Sequence, residues 1–418
     1  MKSRWLLIVA VQVFAVTFLV TTNARQLGDT FTNWLDHPAI NYHSTSAKDP
    51  VADLNRRLTA GDARLEFEGA SGYLRSVLAA LDVPVESQIA VFVQDSAQRA
   101  LISMSNPRTL FFNDSVSVGW VRGGFIELAA LDPTQGVIFY VLDQARTGQP
   151  RFTRRDACLS CHHSFATAGV PGMLVRSASE FAVNHTVPLD RRWGGWYVTG
   201  RQVPVRHRGN LDLEQLFATP APSAPKWASF DSRFDTSGYL STHSDIVALM
   251  VFEHQMHLIN LFSRVGWETR VADFRVRQRQ DDQGPALVPV DEAAKEIVDY
   301  MLFVNEAPFA EAIEGSSGFV ERFEARGPRD RGGRSLRQLD LRRRLMRYPC
   351  SYMIYTPVFD ELPGRAKDAV FRRLWEVLSG DVADPSYAVL SLTDRQAIVE
   401  ILRETKPGLP AYFQSVTH

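Results

Sequence analysis

The chain has 418 residues, 45% of them apolar and 22% charged, with 46 Lys and Arg against 47 Asp and Glu. At ~100–200 residues per domain this is one large or two to three ordinary domains, with enough apolar material for a core and too much for a disordered chain. A formal charge of −1 supplies no global field for a phosphate polymer, which disfavours a nucleic-acid partner, and three cysteines are too few for a disulfide scaffold.

Lys2 and Arg4 precede an apolar run over 5–20, broken only by Gln12 and Thr17, and Thr22, Asn23 and Ala24 follow it. A basic start, an apolar stretch and a small-residue exit predict a secretory signal over 1–24, cleaved after Ala24. The run is shorter than the ~20 residues of a comfortable bilayer span. Retention as an uncleaved anchor is the one membrane contact the sequence offers.

Residues 25–64 read as polar and irregular, with Asp36-His37-Pro38 and Asp49-Pro50 as breakers. Tyr73, Val77, Leu78 and Leu81 recur at helical spacing and predict a helix over 72–81. The period then changes. Val116, Val118 and Trp120 alternate, Gly123-Gly124 offers a turn, and 125–131 and 137–142 are apolar runs separated by Asp132-Pro133. Short runs between Gly, Pro and Asp predict an antiparallel meander, so 25–150 is read as a small α+β region.

Residues 151–266 hold the segment with chemistry. Cys158-Leu159-Ser160-Cys161-His162 is C-x-x-C-H, the attachment signature of a c-type haem. Thiols three residues apart lie on neighbouring positions of one helical turn, close enough to add to the two vinyl groups of a single porphyrin. The histidine that follows lies where its imidazole can take the iron.

On these residues the chain resembles the c-type cytochromes. The resemblance implies one covalent haem c, thioethers at Cys158 and Cys161, His162 as proximal iron ligand, and a helical, cytochrome c-like haem region. It implies electron transfer in the periplasm or cell envelope with a redox partner protein. The alternative is a haem-dependent oxidoreductase, peroxidase-like, or a haem sensor, with an open sixth iron position. Two rivals use the same thiols. A zinc site would add His254 and His257 at an unusually long gap, and a thioredoxin-like dithiol would need an apolar strand where Arg151–Ala157 is charged.

The sixth ligand decides between carrying electrons and doing chemistry. His254, on the apolar face of a helix expected from Thr242 or Ser244 onward, is the first candidate; Met173 and His243 follow, and an unfilled position remains open. Trp193, Trp196 and Tyr197 are read as packing a turn or strand, and His163 as facing away from the iron.

Beyond 266 the chain reads as helical, with apolar rhythms over 292–304, 336–346, 366–378 and 393–404. Ten arginines crowd 322–347, read as an arginine-rich loop and solvated helix face, with docking of an acidic partner as the alternative. Cys350 is left over, read as buried and inert. The expected fold is α+β and predominantly helical, in three parts: 25–150, the haem region 151–266, and a helical 267–418.

Overall fold

The computed structural model describes residues 33–414 apart from 147, 179, 217, 219–221 and 280–285. The secretory segment expected over 1–24 lies outside the described residues.

An antiparallel sheet organises the molecule. Its strands are β1 (Ile89–Val91), β2 (Arg108–Phe112), β3 (Val116–Trp120), β4 (Ile126–Asp132), β5 (Gly136–Leu142) and β6 (Thr153–Arg154). A separate hairpin, β7 (Val175–Ser177) with β8 (Glu180–Val183), precedes β9 (Trp196–Tyr197), which returns to the sheet. The order is β6-β5-β4-β3-β2-β1-β9. The meander predicted over 116–142 is its centre, in the register Val118↔Leu128 and Ala129↔Phe139.

Both faces of the sheet are covered. Leu110, Phe112, Ala129, Leu131, Val137 and Phe139 belong to one core cluster, and Phe111, Val118, Leu128, Ala130, Ile138 and Tyr140 to another. The alternation is the period-two geometry of a strand, and burying both sides turns it into nearly continuous apolar text.

The second face packs on α1 (Pro50–Ala60) and α2 (Leu74–Ala80). The α2 helix matches the expectation for 72–81. The α1 helix corrects the reading of Asp49-Pro50 as a breaker. The Asp49 side chain accepts from the Val51 and Ala52 amides, Pro50 opens the first turn, and Gly61 closes the helix with φ +82°.

The first face is crossed by α3 (Ile246–Gln278). Near its start Ser244 accepts from the Ala90 amide of β1; further on Phe252 meets Phe112 of β2 at 4.9 Å, and Ser263 lies over Gly136 of β5. This is the one described helix long and apolar enough to cross a membrane, and 94% of its most apolar window is buried inside the protein. It is a core helix.

Outside α3 pack α4 (Val290–Met301), α5 (Phe319–Ala325), α6 (Gly364–Ser379) and α7 (Leu392–Thr405), close to three of the four helices expected. The fourth, over 336–346, does not form. Asp340 accepts from the Arg342 and Arg343 amides, Leu341 sits at φ +58°, and Leu339 bridges back to Met346. A side chain that satisfies nearby amides in a turn competes directly with the helix ladder.

The α+β class stands, but the molecule is not predominantly helical, and 151–266 is not a helical cytochrome c-like domain. Before α3 the described residues of that stretch form two α-helices, Leu159–His162 and Leu213–Leu216, among short 3-10 turns, strands and loops. The divisions at 150 and 266 do not separate bodies: β6 and β9 complete a sheet begun at Ile89, and α3 runs through 266.

Candidate haem attachment site

The motif follows directly from the edge strand β6. The Arg155 amide still donates to Phe139 O in β5 at 2.9 Å, after which Asp156–Cys158 forms a 3-10 turn and Leu159–His162 one turn of helix. Cys158 is half-buried against the core, Cys161 is exposed, and both thiols are free. One turn therefore presents two sulfurs and an imidazole from a site fastened to the sheet.

His162 is held on one side. Its Nδ1 hydrogen-bonds Gly172 O at 3.0 Å, the Gly172 amide donates to His162 O at 2.8 Å, and its ring lies 4.8 Å from the Phe139 ring. The chain turns back to make this contact through Ala168 and Gly169, at φ +56° and +76°, behind a Ser164–Thr167 capping box. The loop is in turn anchored by buried Asn260, whose side chain accepts from the Met173 amide at 3.1 Å and donates to Met173 O at 2.7 Å.

With Nδ1 donating to a carbonyl, the imidazole is fixed as the tautomer whose Nε2 carries the lone pair. No partner for that Nε2 is found among the described residues. Burial also lowers the His162 pKa, which keeps the ring neutral. Two free thiols on one turn with an oriented, neutral imidazole fit a covalent haem.

The same geometry disfavours the rivals. Burial raises the Cys158 pKa, the opposite of what a reactive dithiol needs. Among the described residues no group of three or more His, Cys, Asp or Glu gathers to hold a metal ion, so Cys158, Cys161, His254 and His257 do not assemble a zinc site.

The candidate sixth ligands are placed elsewhere. His254 is fully buried, its Nδ1 bonded to His185 Nδ1 at 2.9 Å and its Nε2 to Ser351 Oγ at 2.7 Å, so neither nitrogen is open to iron. Met173 is buried in the core cluster, with its backbone amide and carbonyl both bonded to the Asn260 side chain. His243 sits where its carbonyl accepts from Gln88, beside β1. That is four strands from β5, about 19 Å at the usual strand spacing.

Other expectations are met or refined. Trp193, Trp196 and Tyr197 are packed side chains, with Trp193 Nε1 donating to Glu253 at 2.6 Å. His163 binds Gly169 O, and Cys350 is buried, its thiol pushed up to about 12 by desolvation. Many of the crowded arginines are paired at home, Arg337 with Asp114, Arg344 with Asp394 and Arg334 with Glu400.

Sequence reasoning missed Phe139, Gly172 and Asn260, and also Arg108 and Glu127, an ion pair at 2.6 Å whose charges are felt by both His162 and Cys158. The Gly-Val-Pro-Gly turn after the motif was the available sign that the chain folds back on the histidine. No family model, curated protein or solved structure matches this chain, so the chemistry of the site is read from its own residues.

Proposed function

We propose that this chain is an exported redox protein carrying one covalently attached haem c. Cys158 and Cys161 are the thioether anchors and His162 the proximal iron ligand. The observation that carries this is the Nδ1 bond of His162 to Gly172 O, which aims the free Nε2 while two unpaired thiols lie on the same turn. When bound, such a haem supplies a reversible one-electron couple.

The surrounding residues have distinct tasks. Phe139 packs against the imidazole and keeps water from it on the sheet side. Asn260 locks the loop that carries the Gly172 carbonyl. The carbonyl, by accepting from Nδ1, would make the imidazole a stronger donor to a bound iron and so favour its oxidised form. The exposed Cys161 leaves the attachment edge open to solvent, where a redox partner can approach.

The test is attachment itself. The full chain is expressed in a bacterial host with the machinery for c-type haem maturation, purified from the exported fraction and unfolded in guanidinium. The haem absorbance is expected to stay with the polypeptide, and the peptide containing Cys158 and Cys161 to gain the mass of one haem. Replacing both cysteines with Ser should abolish this. A folded wild-type chain that carries no haem would end the proposal.

A further inference from the structure

We propose that the segment 184–193, which joins β8 to β9, is a strap that acid releases from α3, with the buried contact between His185 and His254 as its latch. The haem attachment proposed above plays no part in it.

The strap is held from inside at both ends. His185, 2% exposed, meets the fully buried His254 of α3 Nδ1 to Nδ1 at 2.9 Å. At the other end the Arg192 guanidinium and the Trp193 indole both donate to Glu253, at 3.1 and 2.6 Å. Two adjacent residues of one helix thus hold the whole segment. The His185 carbonyl ties its ends together and to the next layer, accepting from Arg192 Nη2 at 2.8 Å and from the Ala307 amide at 2.9 Å. Between the ends Thr186, Pro188 and Asp190 are exposed.

The histidine contact admits one proton. With two ring nitrogens this close, one donates and the other accepts, and a proton on both sets N–H against N–H. His254 Nε2 is bonded to Ser351 Oγ at 2.7 Å, and His185 Nε2 is sealed from solvent without a hydrogen bond. Both rings stack with Tyr300 and Phe303, at 4.1 and 4.9 Å from His185 and at 5.1 and 4.4 Å from His254.

The surroundings offer a second positive charge no compensation. From α3 come Glu253, its oxygens taken by Arg192 and Trp193, and His257, whose own charged neighbours are Glu296 and Arg264. The strap brings Arg192, itself positive. From α4 comes Tyr300, from the loop after it Glu306, which accepts from the Leu345 amide, and from the segment beyond Cys350 the Tyr352 ring, 6.4 Å from His254. Among the described residues no carboxylate is hydrogen-bonded to either histidine of the pair.

The closed pair therefore resists protonation. Desolvation holds both histidines below their ordinary 6.5, His254 at about 3. Opening lets water reach them, so the open strap takes up protons that the closed one refuses. Glu253 runs the other way: burial raises it to about 7, and on exposure it releases a proton above its ordinary 4.5, offsetting one histidine. Opening thus gains one net proton between about 6.5 and 4.5, and two from there down to about 3. Each net proton multiplies the opening constant by ~10 per pH unit, so the response is roughly tenfold at first and then roughly hundredfold.

The test is amide hydrogen exchange of the full chain, followed by mass spectrometry from about pH 7 to pH 3.5 and corrected for the intrinsic pH dependence of exchange. Peptides covering the strap are expected to lose protection with these slopes while peptides of β3 and β4 keep theirs. Strap and sheet losing protection together at every pH would overturn the proposal, as would a strap whose protection does not change with pH.

His185→Gln and His254→Gln should each cut the response below pH 4.5 from roughly hundredfold to roughly tenfold per pH unit. Glu253→Gln should extend the steep response upward to about pH 6.5. Wild-type slopes in the folded histidine variants would remove the pair as the latch. Should one variant fail to fold, the other decides by the same slope, and the comparison of strap with sheet in the unsubstituted chain stands without either.

Discussion

Asn260 makes two hydrogen bonds to the backbone of a single residue, Met173, from a position 1% exposed. Asn260→Ala strands a buried amide and a buried carbonyl, each costing ~1–3 kcal/mol, so a loss of about 2–4 kcal/mol is expected from urea unfolding. Attachment of the proposed haem should survive, because thioethers at Cys158 and Cys161 would not depend on this clamp. The buried histidines also tie stability to pH. Burial lowers His254 to about 3 and His257 to about 4, and takes His185 well below 6.5. The unfolded chain binds these protons first as pH falls below about 6.5, so their contribution is full above that value and is lost down to the folded-state values. Glu306, raised to about 7 by burial, acts oppositely, its contribution being full below about 4.5 and lost as pH rises through 7. Below pH 4.5 the histidines are no longer offset by this glutamate, and stability should fall steeply. His254→Gln should flatten that acid limb by up to one proton, about 1.4 kcal/mol per pH unit, in urea titrations from pH 3 to 7. An unchanged slope would show that His254 takes up no extra proton on unfolding.

At the scale of elements, α3 depends on its first residue pair. Asp245, fully buried, accepts from the Val247 and Ala248 amides and also from the amides of Ser316 and Ser317. Asp245→Ala removes a cap worth ~0.5–2 kcal/mol and leaves buried donors unpaired, so a loss of about 3 kcal/mol is expected in the same assay, with Asn recovering part of it. Thr242 and Ser244 looked like caps from the sequence, but the Ser244 hydroxyl is used to join strands, donating to Tyr197 O and accepting from the Ala90 amide. Such substitutions of role explain what the sequence made legible. The meander at 116–142 and five of the helices, α2, α3, α4, α6 and α7, follow from period and turn chemistry. β1 is too short to show a period, and β9 has two residues and exists only by pairing with it. The rhythm over 336–346 is real, but those apolar residues reach the core from a looped backbone. In the site, the five motif residues announce themselves because their chemistry is in their side chains. The Gly172 carbonyl has no side-chain signature, and charged Arg108 and Glu127 meet beside the motif only through the register of three strands.

At the scale of the whole molecule, the divisions suggested by sequence cut through shared structure. The core cluster on the α3 side of the sheet joins residues from Ile89 to Phe413. A fragment ending at 150 would keep β1 to β5 but lose β6, β9 and α3. Ile89, Leu110, Phe112, Leu131, Val137 and Phe139, all under a tenth exposed in the intact chain, would then face water on one side of the sheet. Each costs about 1.5–3 kcal/mol to uncover, and the sum, about 9–18 kcal/mol, is as large as the 5–15 kcal/mol by which a folded protein is ordinarily stable. The fragment 33–150 is therefore expected to be insoluble or unfolded by circular dichroism. The fragment 33–266 should fare little better, since it ends inside α3 and lacks α4, which packs on that helix. The intact chain should instead unfold with the tryptophan signal and the far-ultraviolet signal changing together, because Trp120 and Trp267 sit in the core on the opposite face of the same sheet. A soluble 33–150 fragment with its own cooperative melt would show that the sheet stands without α3, and that the C-x-x-C-H segment is laid onto a preformed platform rather than built into it.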